Sequence, residues 1–184
     1  MNRNEINIAV VGATGAAGGT ALELLLERNH PADKIVAMAS ERSAGKKIQY
    51  GDVGLTIVHA TVDAFEGVDV ALFAAGGYVS RRLVHKVVEK GVFVIDKGSI
   101  FRMDPTIPLV VPEVNSDDIE WHPGIVSTPN CTSTPLVMVL DALRKLSTIA
   151  AVTVATYQSV TGTGVAANEE LLDQSKSALA GEKS

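Results

Sequence analysis

The chain has 184 residues, 46% hydrophobic and 20% charged, which suits a soluble globular fold with a sizeable core and leaves no apolar run of the ~18 residues a membrane span needs. A net charge of −5 argues against nucleic acid as the main partner, because phosphate-backbone binding needs a concentrated basic surface. With a single cysteine there is no intrachain disulfide, and Met1-Asn2-Arg3-Asn4-Glu5 lacks the apolar stretch of a secretory signal, so a reducing, cytoplasmic setting is expected.

From Glu5 to Asp96 short β-branched runs alternate with longer helical ones, the pattern of βαβ units in a parallel sheet. Ile6 to Val11 reads as a buried strand, and Ala16 to Arg28 as a helix with Leu22, Leu24, Leu25 and Leu26 on its apolar face. Asn29-His30-Pro31 stops it. Lys34 to Ala39 is the second strand, Ser40 to Lys47 a polar, basic loop, and Gly54 to Val58 a short strand expected on the sheet edge. Val68 to Ala74 is the next strand, broken by Ala75-Gly76-Gly77 ahead of a helix from Ser80 to Lys90. Gly91 suits the left-handed position that closes that helix, and Val92 to Asp96 follows as a strand. Phe101 to Val114, with Pro105, Pro108 and Pro112, is expected to be irregular, and Ile125 to Ser127 to be a last short strand. Beyond Cys131, Ser133 to Leu146 reads as a helix, Ile149 to Val160 alternates as a long strand, and Val165 to Leu179 is an amphipathic helix. The expected architecture is α/β: a Rossmann-like, mostly parallel sheet with helices on both faces over residues 1–129. The start of an α+β catalytic or dimerisation domain follows over 130–184.

Gly12, Gly15 and Gly18 follow a strand and open a helix, the context a dinucleotide fingerprint requires. Gly12 permits the tight turn, Gly15 lets the backbone approach a pyrophosphate, and Gly18 allows close helix-on-strand packing. The rest of Gly12-Ala13-Thr14-Gly15-Ala16-Ala17-Gly18 supplies Thr14, Ala16 and Ala17 as further contacts at the helix N-terminus. After the second strand, Ser40, Arg42 and Ser43 suit a ribose 2′-phosphate and favour NADP, although Glu41 also fits the 2′-hydroxyl of NAD.

Cys131, in Ser127-Thr128-Pro129-Asn130-Cys131-Thr132-Ser133, stands just ahead of a helix, where unpaired N–H groups and the positive end of the macrodipole favour a thiolate. Asn130 offers an amide donor to an oxyanion or phosphate. Gln158, at the end of the expected long strand, is placed to orient a substrate or a water. Arg102 is a lone cation for which anion binding competes with a salt bridge to Asp104 or Glu113. His30, His59, His85 and His122 lie outside these clusters and read as surface or turn residues; no metal site is expected.

Gly12 to Gly18, Phe101-Arg102-Met103-Asp104 leading into Pro108 to Asn115, Pro129-Asn130-Cys131-Thr132, and Tyr157-Gln158-Ser159-Val160-Thr161-Gly162 together resemble aspartate-semialdehyde dehydrogenase, in order and across essentially the whole chain. The resemblance implies an NADP-dependent enzyme that converts β-aspartyl phosphate to aspartate semialdehyde and phosphate through a cysteine thioester, in lysine, threonine and methionine biosynthesis. It implies that Cys131 is the nucleophile, that Gln158 positions the acyl intermediate, that Arg102 and Asn130 contact the phosphoryl group, and that Ala75 and Gly76 lie near the cofactor. It implies a homodimer for the full-length enzyme. Asp96-Lys97-Gly98-Ser99 stands where the family commonly has Asp-Asn-Ser-Ser, and Ala74-Ala75-Gly76-Gly77-Tyr78 replaces its Ser-Ala-Gly-Gly-Ser. Because the resemblance covers about half of the family's chain, little turnover is expected of these residues alone. A noncatalytic NADP-binding module and an N-acetyl-glutamyl-phosphate reductase-like enzyme are the alternatives.

Overall fold

The computed structural model describes residues 5–181. Six strands form one sheet in the order β5-β2-β1-β6-β7-β8, every neighbouring pair parallel: β1 (Ile8–Val11), β2 (Ile35–Ala39), β5 (Val58–His59), β6 (Val70–Phe73), β7 (Phe93–Asp96) and β8 (Ile125–Ser127). Near-continuous apolar runs such as Ile8-Ala9-Val10-Val11 fit strands covered on both sides. α1 (Ala16–Glu27) lays Leu22 over Val10, Ile35 and Ala37, while α2 (Gly77–Val88) lays Leu83, Val84 and Val87 over Ala9, Ala71, Phe73 and Val94 on the other face. Chain order reverses between β1 and β6, and that switch point opens a crevice at the carboxyl ends of the strands.

Several expectations are corrected. The edge strand read at Gly54 to Val58 is split: β3 (Lys47–Tyr50) and β4 (Val53–Thr56) form a separate antiparallel hairpin, and only Val58-His59 joins the main sheet. Backbone bonds between Gly45 and Ile57 and between Ile57 and Lys46 divert the chain there. The second long helix begins at Gly77 rather than Ser80, because Gly76 takes φ +82° as its N-cap, a conformation open to glycine. Within the proline-rich segment, Pro112 opens one helical turn, α3 (Pro112–Asn115), where its missing N–H costs nothing. Gly91 is left-handed as expected, at φ +87°.

The largest correction concerns Ile149 to Val160. After α4 (Ser133–Arg144) the chain runs without regular structure and exposed through residues 151–159, then makes a 3-10 turn at Val160–Thr163 before α5 (Val165–Leu179). Alternation alone does not make a strand. The ladder needs a partner edge, and no described strand pairs with this segment. His30 is also corrected: this turn residue is buried, its Nε2 lying 2.9 Å from the Ile6 carbonyl, and Tyr50 donates its hydroxyl hydrogen to the His30 carbonyl at 2.7 Å.

Candidate active site

A cleft of 1270 Å³ opens over the carboxyl ends of β1 and β6. Its floor is the glycine turn. Gly12 holds φ +90°, and a Cβ there would lie 2.8 Å from the Ala74 carbonyl group; a Cβ on Gly18 would lie 2.1 Å from the Gly12 oxygen. Neither position accepts a side chain, so β1, the turn and α1 meet backbone to backbone. α1 has Gly15 as N-cap, no capping side chain and no acid in its first turn. Its unpaired N–H groups therefore stay available to an anion, as a bound pyrophosphate requires. These features fit a dinucleotide.

Gly12, Thr14, Gly15, Ala16, Ala17, Ser40, Ala75 and Gly76 line the cleft. Gly18 lies buried beneath it. Arg42 and Ser43 occupy a 3-10 turn directly after β2 and do not line the cleft, although the neighbouring Ser40 and Glu41 do. Tyr78, Lys97, Thr128 and His59 line the same cleft and were missed from the sequence. The only signal for Tyr78 and Lys97 was that each sits beside an expected cofactor turn and departs from the family pattern.

Cys131 and Gln158 are brought together across 27 residues. The Gln158 Nε2 donates to the Cys131 sulfur at 3.2 Å, and both side chains line the cleft. Cys131 is exposed and precedes Thr132, the N-cap of α4. Asn130 organises that start: its Oδ1 accepts from Thr132 N (2.9 Å) and Thr132 Oγ1 (2.7 Å), and its carbonyl from Ser133 N (2.9 Å). With the oxygen thus engaged, Asn130 Nδ2 is the end of the amide left to donate. Arg102 forms no ion pair among the described residues, and neither Asp104 nor Glu113 engages it. Its Nε donates to the Thr128 carbonyl at 2.9 Å and its Nη2 to the Lys97 carbonyl at 3.0 Å. Both of those residues line the cleft, although Arg102 and Asn130 themselves do not.

Asp96 ends β7 fully buried. Burial pushes its carboxyl above the usual carboxylate range, against hydrogen bonds from Ser80 and Gly98 and the charge of Arg102, which pull it down. A raised folded-state pKa means that the fold disfavours the ionised form, so its stability contribution falls as pH rises from about 4. Asp96→Asn is therefore expected to gain melting temperature relative to the wild type between about pH 4 and pH 7. A difference that stays flat or shrinks over that range contradicts the assignment.

A parallel sheet with a glycine turn at its switch point defines a domain of the dinucleotide-binding Rossmann class. The profile of the semialdehyde dehydrogenase NAD-binding domain matches residues 7–122. The chain belongs to the semialdehyde dehydrogenase family, as its motifs indicated. It is 45% identical over 174 residues to the aspartate-semialdehyde dehydrogenase of Bacillus subtilis (strain 168), covering 95% of this chain and 50% of that one. It superposes on aspartate semialdehyde dehydrogenase II of Vibrio cholerae with a TM-score of 0.86 at 38% identity, over 98% of this chain and 54% of that one. The Candida albicans aspartate semialdehyde dehydrogenase solved with NADP gives a TM-score of 0.63 at 25% identity, over 77% and 47% of the respective chains. The chain spans about half the length of the curated relatives it matches. No described helix is long and apolar enough to cross a membrane.

Proposed function

We propose that the protein carrying this chain is an NADP-dependent aspartate-semialdehyde dehydrogenase, acting on β-aspartyl phosphate in the synthesis of lysine, threonine and methionine. Residues 1–129 are its nucleotide domain and 130–184 the beginning of its catalytic domain. The observation that carries the reading is the 3.2 Å contact from Gln158 Nε2 to the Cys131 sulfur inside the cleft that the glycine turn floors.

In this reading the Cys131 thiolate attacks the acyl carbon of the substrate. The carbon–sulfur bond forms, the acyl–oxygen bond breaks, and phosphate leaves with the electron pair. Arg102, with N–H groups left after binding two carbonyls, and the Asn130 amide hold the departing anion. Gln158, an N–H donor at the sulfur, supports the thiolate before attack and orients the acyl group after it. A bound NADPH would supply the hydride for reduction of the thioester, after which the carbon–sulfur bond breaks, the aldehyde is released and Cys131 recovers its thiolate. Ser40, Arg42 and Ser43 take the 2′-phosphate, in keeping with the NADP carried by the Candida albicans relative.

The test is phosphate-dependent reduction of NADP by aspartate semialdehyde, run beside N-acetylglutamate semialdehyde. Preference for the acetylated substrate, or turnover indifferent to phosphate, overturns the reading. Arg42→Ala is expected to weaken NADP binding about 10-fold with little change for NAD, as loss of a charge-assisted contact implies. Equal weakening for both nucleotides would remove Arg42 from the 2′-phosphate site.

A further inference from the structure

We infer that Asp96 is a positioning residue for the anion subsite: its buried carboxylate fastens the turn that begins at Lys97 to α2, and thereby fixes the orientation of the Arg102 guanidinium. The inference deepens the proposed function, since it rests on Arg102 being the cation that meets phosphate.

The argument starts from Asp96 Oδ1, which accepts from Ser80 Oγ of α2 at 2.8 Å and from Gly98 N at 3.2 Å. The turn packs onto the carboxylate so closely that a Cβ on Gly98 would sit 3.1 Å from Asp96 Oδ2 and 3.2 Å from Oδ1. The backbone is tied at the same point. Lys97 N donates to the Phe73 carbonyl at 2.9 Å, and Thr128 N to the Asp96 carbonyl at 3.0 Å. Arg102 is held by the carbonyls of Lys97 and Thr128, the two residues that this knot immobilises. Ser80 N donates to the Gly76 carbonyl at 3.3 Å, so the residue that binds the carboxylate is tied to a turn that lines the nucleotide cleft.

The second oxygen of Asp96 is buried without a partner among the described residues. A hydrocarbon would fill that space without the cost of enclosing a carboxylate. It would not hold the Gly98 N–H and the Ser80 hydroxyl together. The network accounts for the residue through the guanidinium it aims.

The experiment follows protection of Cys131 from iodoacetamide by inorganic phosphate, in the intact protein and below its melting temperature. Asp96→Ala removes both acceptor bonds and is expected to raise the half-protecting phosphate concentration about 10-fold, and Ser80→Ala, which removes one, about 3-fold. Asp96→Asn keeps Oδ1 and is expected to stay within about 2-fold of the wild type. A purely structural role would lower the melting temperature of the two alanine variants without moving the phosphate midpoint. Wild-type midpoints in Asp96→Ala, or in Ser80→Ala where the former does not fold, overturn the inference. Arg102→Met separates the two claims. If it abolishes protection while the Asp96 and Ser80 variants keep it, positioning fails and the anion site stands. If it leaves protection intact, or phosphate gives the wild type none, the anion site fails and the inference falls with it.

Discussion

Replacing Gly18 with alanine is expected to destabilise the fold by about 3 kcal/mol or more and to eliminate nucleotide binding, whereas alanine one residue later, at Gly19, is expected to stabilise it by about 0.5–1 kcal/mol. The new methyl at position 18 would meet the Gly12 oxygen at 2.1 Å, the Gly12 carbonyl carbon at 2.6 Å and Ala13 Cα at 2.9 Å. All three are backbone atoms of the turn, so no rotamer change relieves the clash; α1 must lift from β1. A Cβ at position 19 meets nothing within 4 Å, and there alanine only reduces the freedom of the unfolded chain. Urea unfolding and nucleotide titration of the two variants check the pair. Effects of the same sign at both positions would refute this account of the turn.

Cys131→Ser is the second large effect. The proposed route needs a sulfur that forms a thioester, and a serine hydroxyl at the same place lacks the nucleophilicity and gives an ester that is harder to reduce. Turnover in the protein carrying this chain is expected to fall about 10⁴-fold or more, the scale on which removal of a covalent nucleophile acts. Nucleotide binding is expected to change little, because serine is close to cysteine in size and the substitution leaves the glycine turn and the start of α1 intact. Intact-protein mass measurement supplies an independent reading: the wild type takes up one acyl group from substrate without nucleotide, and the variant takes up none. Substantial turnover in Cys131→Ser would end the thioester mechanism.

The parts of the fold that were legible in the sequence are those governed by local chemistry. β1, the glycine turn and α1 followed from a buried apolar run meeting glycines at fixed spacing, and Gly91 followed from the need for a left-handed residue after α2. Cys131 stood out through its place ahead of a helix. What stayed hidden depends on contacts far apart along the chain. The β3–β4 hairpin owes its place to pairing outside the main sheet, and Ile149 to Val160 alternates like a strand although no described edge receives it. The meeting of Gln158 with Cys131 spans 27 residues, and only the family resemblance joins them in the sequence. Asp96 gives no signal there because a carboxylate at a strand end usually faces water; its burial becomes visible only once α2 brings Ser80 over it.

The uncovered stretch after α4 has a practical consequence for handling the protein. From Leu146 to Gly164 the sequence contains no charged residue and no proline, the features that ordinarily keep one extended backbone from zipping onto another. Ile149, Val152, Val154 and Tyr157 are all exposed along it. Such a segment is a template for intermolecular cross-β stacking, so concentrated samples of these residues alone are prone to fibril growth seeded there rather than in the nucleotide domain.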